Sequence, residues 1–169
     1  MKRHLPTFAI LLAAVLLLAA CSQMSVKHLN RQPWEIETAR SLPMKFWHFD
    51  YTISPVSDQF AVRGTAYPVV ESLPQWAQYV ADIWFAAYLS GRDGTVIAQD
   101  LRIFEPSPLD PAAGIPFEFL LRPDALPTGD DLFITFGYRM KLTPKPVENN
   151  AQGPGPDVLF ASEGAMTRF

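Results

Sequence analysis

The sequence predicts an all-β fold, a sandwich of two antiparallel sheets, on three observations. Apolar and polar residues alternate with a period of two over several segments, most clearly from Leu132 to Leu142. An Asp-Gly pair, Asp93-Gly94, separates two apolar segments and supplies the positive φ that a tight hairpin loop needs. The 16 prolines fall between apolar runs rather than inside them, so they punctuate short strands.

The elements follow in order. In Phe46–Ser54, the residues Trp47, Phe49, Tyr51 and Ile53 share one face, with His48, Asp50 and Thr52 on the other. Asp58 marks a turn, and Phe60–Tyr67 places Phe60, Val62, Gly64 and Ala66 on one face. Ile115, Phe117, Phe119 and Leu121 alternate with Pro116, Glu118 and Leu120. In the segment from Leu132, the six residues Leu132, Ile134, Phe136, Tyr138, Met140 and Leu142 would surround a helix axis, but they line one face of a strand.

The middle admits two readings. Val80–Ser90 and Thr95–Phe104 form a hairpin around Asp93-Gly94, with Ile83, Phe85, Ala87 and Leu89 facing the core. Leu73, Trp76, Ala77, Val80, Ile83, Trp84 and Ala87 also fit helical spacing, and Ser72 with Gln75 resembles a capping box. The strand is preferred because its neighbours are strands and the Asp-Gly turn needs a partner. A helical turn over Leu73–Tyr79 suits either. The segment 144–169 reads as a Pro/Gly-rich tail in which Val158–Ala161 forms an edge strand.

The N-terminus carries an address. Lys2 and Arg3 precede an apolar stretch from Phe8 to Ala20, shorter than the ~20 residues a spanning helix needs. The stretch closes on Leu18-Ala19-Ala20-Cys21, which contains the only cysteine. This layout resembles the lipobox of bacterial lipoprotein signal peptides. The resemblance implies removal of residues 1–20 by cleavage between Ala20 and Cys21, a diacylglycerol on the Cys21 sulfur and acylation of the new amine. Ser22 in place of an aspartate implies the outer membrane, with the protein on its periplasmic face. Several acyl chains make a firm anchor where one would not. With the thiol consumed, no disulfide is expected. Residues 21–43, polar and broken by Pro33, read as the lipidated N-terminus and a tether, with a short helix possible over Glu35–Leu42. The domain proper is 44–143, and about 125 residues from there to the end suffice for one core.

With Lys2 and Arg3 removed, the 14 basic residues fall to 12 against 17 acidic, a formal charge of −5. That excludes the basic face that nucleic acid requires, and it leaves membrane attachment to the lipid. The Phe60–Ala66 strand carrying Val62-x-Gly64-x-Ala66, the apolar strand with its Asp-Gly turn, and Ile115-Pro116-Phe117 together resemble the immunoglobulin-like domains of bacterial envelope lipoproteins. The resemblance covers about Phe46 to Leu142 and implies a sandwich of about seven strands. It supplies no catalytic residues, and the long Pro68–Tyr79 insertion departs from it.

Chemistry finds little purchase in the residues. A zinc site needs about four ligands, and only His28 and His48 remain beside an acylated Cys21. His48 and Asp50 share a strand face and could act as a base and its orienter, but no nucleophile elbow accompanies them. Asp93, Asp110 and Asp130-Asp131 fit turns better than a calcium array. No phosphate-cradling glycine loop occurs, so no cofactor, metal or catalytic residue is expected. The remaining excess is aromatic. Trp76, Tyr79, Trp84 and Tyr88 form a candidate interaction surface, with Trp84, Tyr88 and Val80 opposite the core face. It serves a partner unless the 68–79 loop or the tail around Phe160 covers it. The sequence thus points to a non-catalytic interaction or assembly module, with a carrier or sensor of a small apolar ligand as the alternative. A hollow between the sheets favours the second, and a filled core with an exposed Trp84–Tyr88 face favours the first.

Overall fold

The computed structural model describes residues 23–125, 131–146 and 157–168. The expected signal peptide 1–20, with Ala20, and Cys21, Asp130 and the glycine-proline run at 153–156 lie outside them. Among the described residues the regular structure is β, apart from one 3-10 turn at Val70–Ser72.

Two sheets lie face to face. The first contains β3 (Arg40–Pro43), β4 (Trp47–Val56), β5 (Gln59–Pro68) and β9 (Ile115–Leu121), in the order β3-β4-β5-β9. The second runs β11-β10-β6-β7, built from β6 (Tyr79–Ser90), β7 (Val96–Phe104), β10 (Phe133–Thr143) and β11 (Leu159–Glu163). Two short strands extend it, β2 (Gln32–Pro33) on β10 and β8 (Ser107–Pro108) on β6. All pairings between strands of these sheets are antiparallel. The seven longest strands divide three against four, in the A-B-E and G-F-C-C′ order of an immunoglobulin-like sandwich.

Alternation explains which side faces inward. Trp47, Phe49, Tyr51 and Ile53 of β4 meet Ile134, Phe136, Tyr138 and Met140 of β10 across one core. Phe136 stacks on Phe49 with ring centres 4.4 Å apart and touches Tyr51, Phe117 and Phe119. The Trp47 indole N–H donates to the Met140 sulfur at 3.2 Å. Gly64 lets β4 and β5 approach: a Cβ there would sit 1.9 Å from the Asp50 carbonyl oxygen.

The middle segment is the hairpin. Gly94 takes a φ of +85°, and the Asp93 carboxylate accepts from the Thr95 amide at 2.9 Å. The helical spacing of Leu73–Ala87 is not realised, and the chain turns only briefly before Tyr79. Within β6 a bulge shifts the register, so that Lys141 faces Asp82 while Leu142 faces Val80. The extra residue, Ala81, reverses the alternation and turns Val80 into the core at 1% exposure, instead of onto the Trp84 face.

The largest difference from expectation is at the N-terminus. Residues 23–43, expected to act as a tether, supply three strands. β1 (Gln23–Ser25) pairs with β12 (Met166–Arg168), β2 pairs with β10, and β3 pairs with β4. Glu35–Leu42 is not helical: Ile36 bridges to Ile53, the chain turns at Glu37 with a φ of +58°, and it is extended from Arg40. Leu29 and Trp34 pack against the core, and Val26 is fully buried. These strands are two to four residues long, too short to show a period. The tail supplies β11 as an edge strand on β10, as Val158–Ala161 implied.

Candidate interaction face

The four aromatic residues do not form one patch. Trp76 packs against the main core at the end of the sandwich. Tyr79 lies half-buried across from Thr143 and Pro108. Trp84 and Tyr88 do share the outer face of the second sheet, and the structure brings them together with Ala86 in a small separate cluster.

Chain ends cover half of this face. Met24 of β1 and Val26 just after it pack in the cluster, and Ala165 packs onto it from the tail. Tyr88 is only 4% exposed. Burial raises its phenol above the ordinary value, partly offset by its hydrogen bond to the Ala165 backbone. The crossing needs room, and Gly137 of β10 provides it. A Cβ at Gly137 would approach the Glu163 oxygen and Tyr88 Cε2 to 2.9 Å each. Gly164, the next residue in the tail, passes 3.5 Å from the Tyr88 hydroxyl and 3.6 Å from the Trp84 ring, measured from its ideal Cβ. Sequence reading could not place this contact, since two isolated glycines at 137 and 164 carry no periodic signal.

The rest of that face is open. Trp84 lies opposite Ile103 of β7 and Arg139 of β10. Leu101 stands 47% exposed opposite Ala86, Ile103 is 76% exposed, and Phe160 of β11 is 64% exposed. Lys141 reaches over the Phe160 ring at 5.6 Å.

The opposite outer face, on the first sheet, is polar. His48 stacks on Tyr67 at 5.1 Å, and Arg63 pairs with Glu118 at 2.7 Å. His48 and Asp50 do share this face, and both border a shallow groove with Tyr67, Val70 and Pro111. Asp110 accepts from the Ala112 and Ala113 amides at 2.9 and 3.0 Å, which hold its carboxyl below the usual range. Asp131 pairs with Arg92. Among the described residues, no group of three or more His, Cys, Asp and Glu side chains converges as a metal site.

The inter-sheet space is occupied by side chains. A small cavity of about 30 Å³ lies at the Pro108 end, lined by Trp47, Val80 and Leu109, room for about one water.

The β7 edge of the second sheet is guarded. On β7 the charged pair Asp100–Arg102 occupies inward positions, at 2.8 Å. The Asp100 carboxylate also accepts the Leu120 amide of β9 at 2.8 Å, tying one sheet's margin to the other.

The fold and the face together define an immunoglobulin-like sandwich with an apolar-cationic outer surface. No family model, no curated protein and no solved structure matches the chain. No helix among the described residues is long and apolar enough to cross a membrane.

Proposed function

We propose that the protein is a lipid-anchored lipoprotein of the bacterial cell envelope, held through Cys21 and acting as a non-catalytic interaction module. The observation that carries the second half is the packed inter-sheet core. With Phe49, Phe85, Phe117, Phe119 and Phe136 in contact there, binding falls to the outer surfaces. The anchor rests on the lipobox Leu18–Cys21 and its flanks. Outer-membrane sorting rests on Ser22 alone.

The test is crosslinking of a tagged copy in cells, purification in mild detergent and mass spectrometry of what accompanies it. One protein in near-equal amount establishes the module. A bound lipid or small molecule with no protein moves the reading to the carrier alternative and makes the space beneath Trp76 the place to look. Cys21→Ala is expected to move the protein out of the membrane fraction. Retention in that fraction would overturn the lipid anchor.

A further inference from the structure

The pairing of β1 with β12 fixes how the domain sits relative to anything attached at Cys21. Gln23 is held opposite Arg168, and Met24 packs against the Trp84–Tyr88 cluster. Cys21 is two residues before Gln23, at most about 7 Å of extended chain. An anchor at Cys21 would therefore start within that reach of the outer side of the second sheet.

That side is also where exposed apolar residues concentrate. Of the six large hydrophobic side chains exposed among the described residues, Leu101, Ile103 and Phe160 lie on this face and Met166 on the ribbon that crosses it. Cationic Arg139 and Lys141 stand between Ile103 and Phe160 on β10, with Asp82 beside Lys141. Apolar side chains interspersed with basic ones suit the boundary between acyl chains and anionic headgroups. The other outer face carries His48, Arg63, Tyr67 and Glu118 and no comparable cluster.

We infer that the outer face of the second sheet lies flat on the lipid bilayer, with Leu101, Ile103 and Phe160 at its surface and the polar face turned outward. This rests on acylation of Cys21. It also assigns the open half of the Trp84 face to lipid, and a protein partner to the opposite sheet.

The test uses the full-length protein, acylated in cells and reconstituted into vesicles of phosphatidylethanolamine and phosphatidylglycerol. Cys21 is the only cysteine, so Ile103→Cys and Val70→Cys each give one free thiol for an environment-sensitive fluorophore. Val70 is 52% exposed and borders the polar groove with His48 and Tyr67. Quenching by brominated lipid is expected to be several-fold stronger at 103 than at 70. Equal quenching at the two positions, in protein whose mass shows the acyl chains and which floats with the vesicles, overturns the flat orientation and leaves the anchor standing. Absence of the acyl mass overturns the anchor and the orientation together. Shielding of position 103 in dilute Cys21→Ala protein without vesicles would point to a second copy on this face and also overturn the proposal.

Discussion

Gly137→Val is the sharpest probe of how the tail is held. The position faces away from the sandwich core, so the added side chain meets only the crossing segment. A single Cβ already comes within 2.9 Å of Glu163 and Tyr88, and within 3.1 Å of the Gly164 backbone. Valine adds two further methyl groups to a space that does not hold the first. Overpacking of this kind costs about 1–3 kcal/mol. The strain is relieved most cheaply by lifting the Gly164 crossing, since the Glu163 and Gly164 contacts are backbone and β10 is fixed by β6 on its other side. The variant should therefore keep its sandwich and lose the β1–β12 ribbon. Limited proteolysis should cut within 157–168 sooner than in the parent, and urea unfolding should report a loss in the 1–3 kcal/mol range. Spectrophotometric titration adds a specific readout. Tyr88, one of five tyrosines, should fall back toward the ordinary phenol range because lifting the ribbon relieves its burial, the larger effect, although its bond to Ala165 is lost too. The control is Gly91→Ala, whose Cβ makes only an ordinary 3.4 Å contact and which should stay within about 0.5 kcal/mol. Unchanged protease resistance and unchanged tyrosine titration in Gly137→Val would refute the crossing.

Four further outcomes are expected. Phe136→Ala removes a fully buried ring that touches Phe49, Tyr51, Phe117 and Phe119, and urea denaturation should show a loss of about 3–5 kcal/mol. Gly64→Ala forces a methyl against the Asp50 carbonyl of the neighbouring strand, so it should cost at least about 3 kcal/mol and appear in thermal unfolding. Burial pushes the Tyr51 phenol up to about 12 from 10.0, so the folded state holds that proton more tightly than the unfolded one. Its contribution is present below pH 10 and is lost as pH rises toward 12, and Tm measured across that window should fall less steeply in Tyr51→Phe. Trp84→Ala should lower stability by about 2–3 kcal/mol, since the ring is half-buried beneath the ribbon; a change under ~0.5 kcal/mol by calorimetry would show that the ribbon does not rest on it.

The sequence disclosed long strands and concealed short ones. β10 runs for 11 residues, and its alternation from Ile134 to Leu142 placed every inward side chain correctly. The β6–β7 hairpin was legible because Asp93-Gly94 has one clear structural use. Trp84 and Tyr88 were readable as outward-facing for the same reason, two-residue alternation. Val80 was assigned to the wrong face because one extra residue at Ala81 inverts the pattern, and nothing in the residue types announces a bulge. The segment 23–43 looked like a tether because a strand of two or three residues has no period to detect. Its role comes from contacts far away in sequence, such as Trp34 on Phe60 and Gln23 opposite Arg168. The cover over Tyr88 was visible only as two small residues, Gly137 and Gly164, meeting through the fold.

The ribbon joining Gln23–Ser25 to Met166–Arg168 also sets a clock. The pairing of Gln23 with Arg168 cannot form until Arg168 has been made. At about 5–20 residues per second, synthesis from the first strand to the last takes on the order of ten seconds. Throughout that interval β1 lacks β12 and has beside it the bridge from Ser25 to Thr95 and the bond from the Val26 amide to the Gly94 carbonyl. The processing proposed at Ala20–Cys21 would have that interval to act before β1 pairs with β12. The ribbon is thus the last pairing to close, and it fastens β1 across the Trp84–Tyr88 face only when Met166–Arg168 arrive.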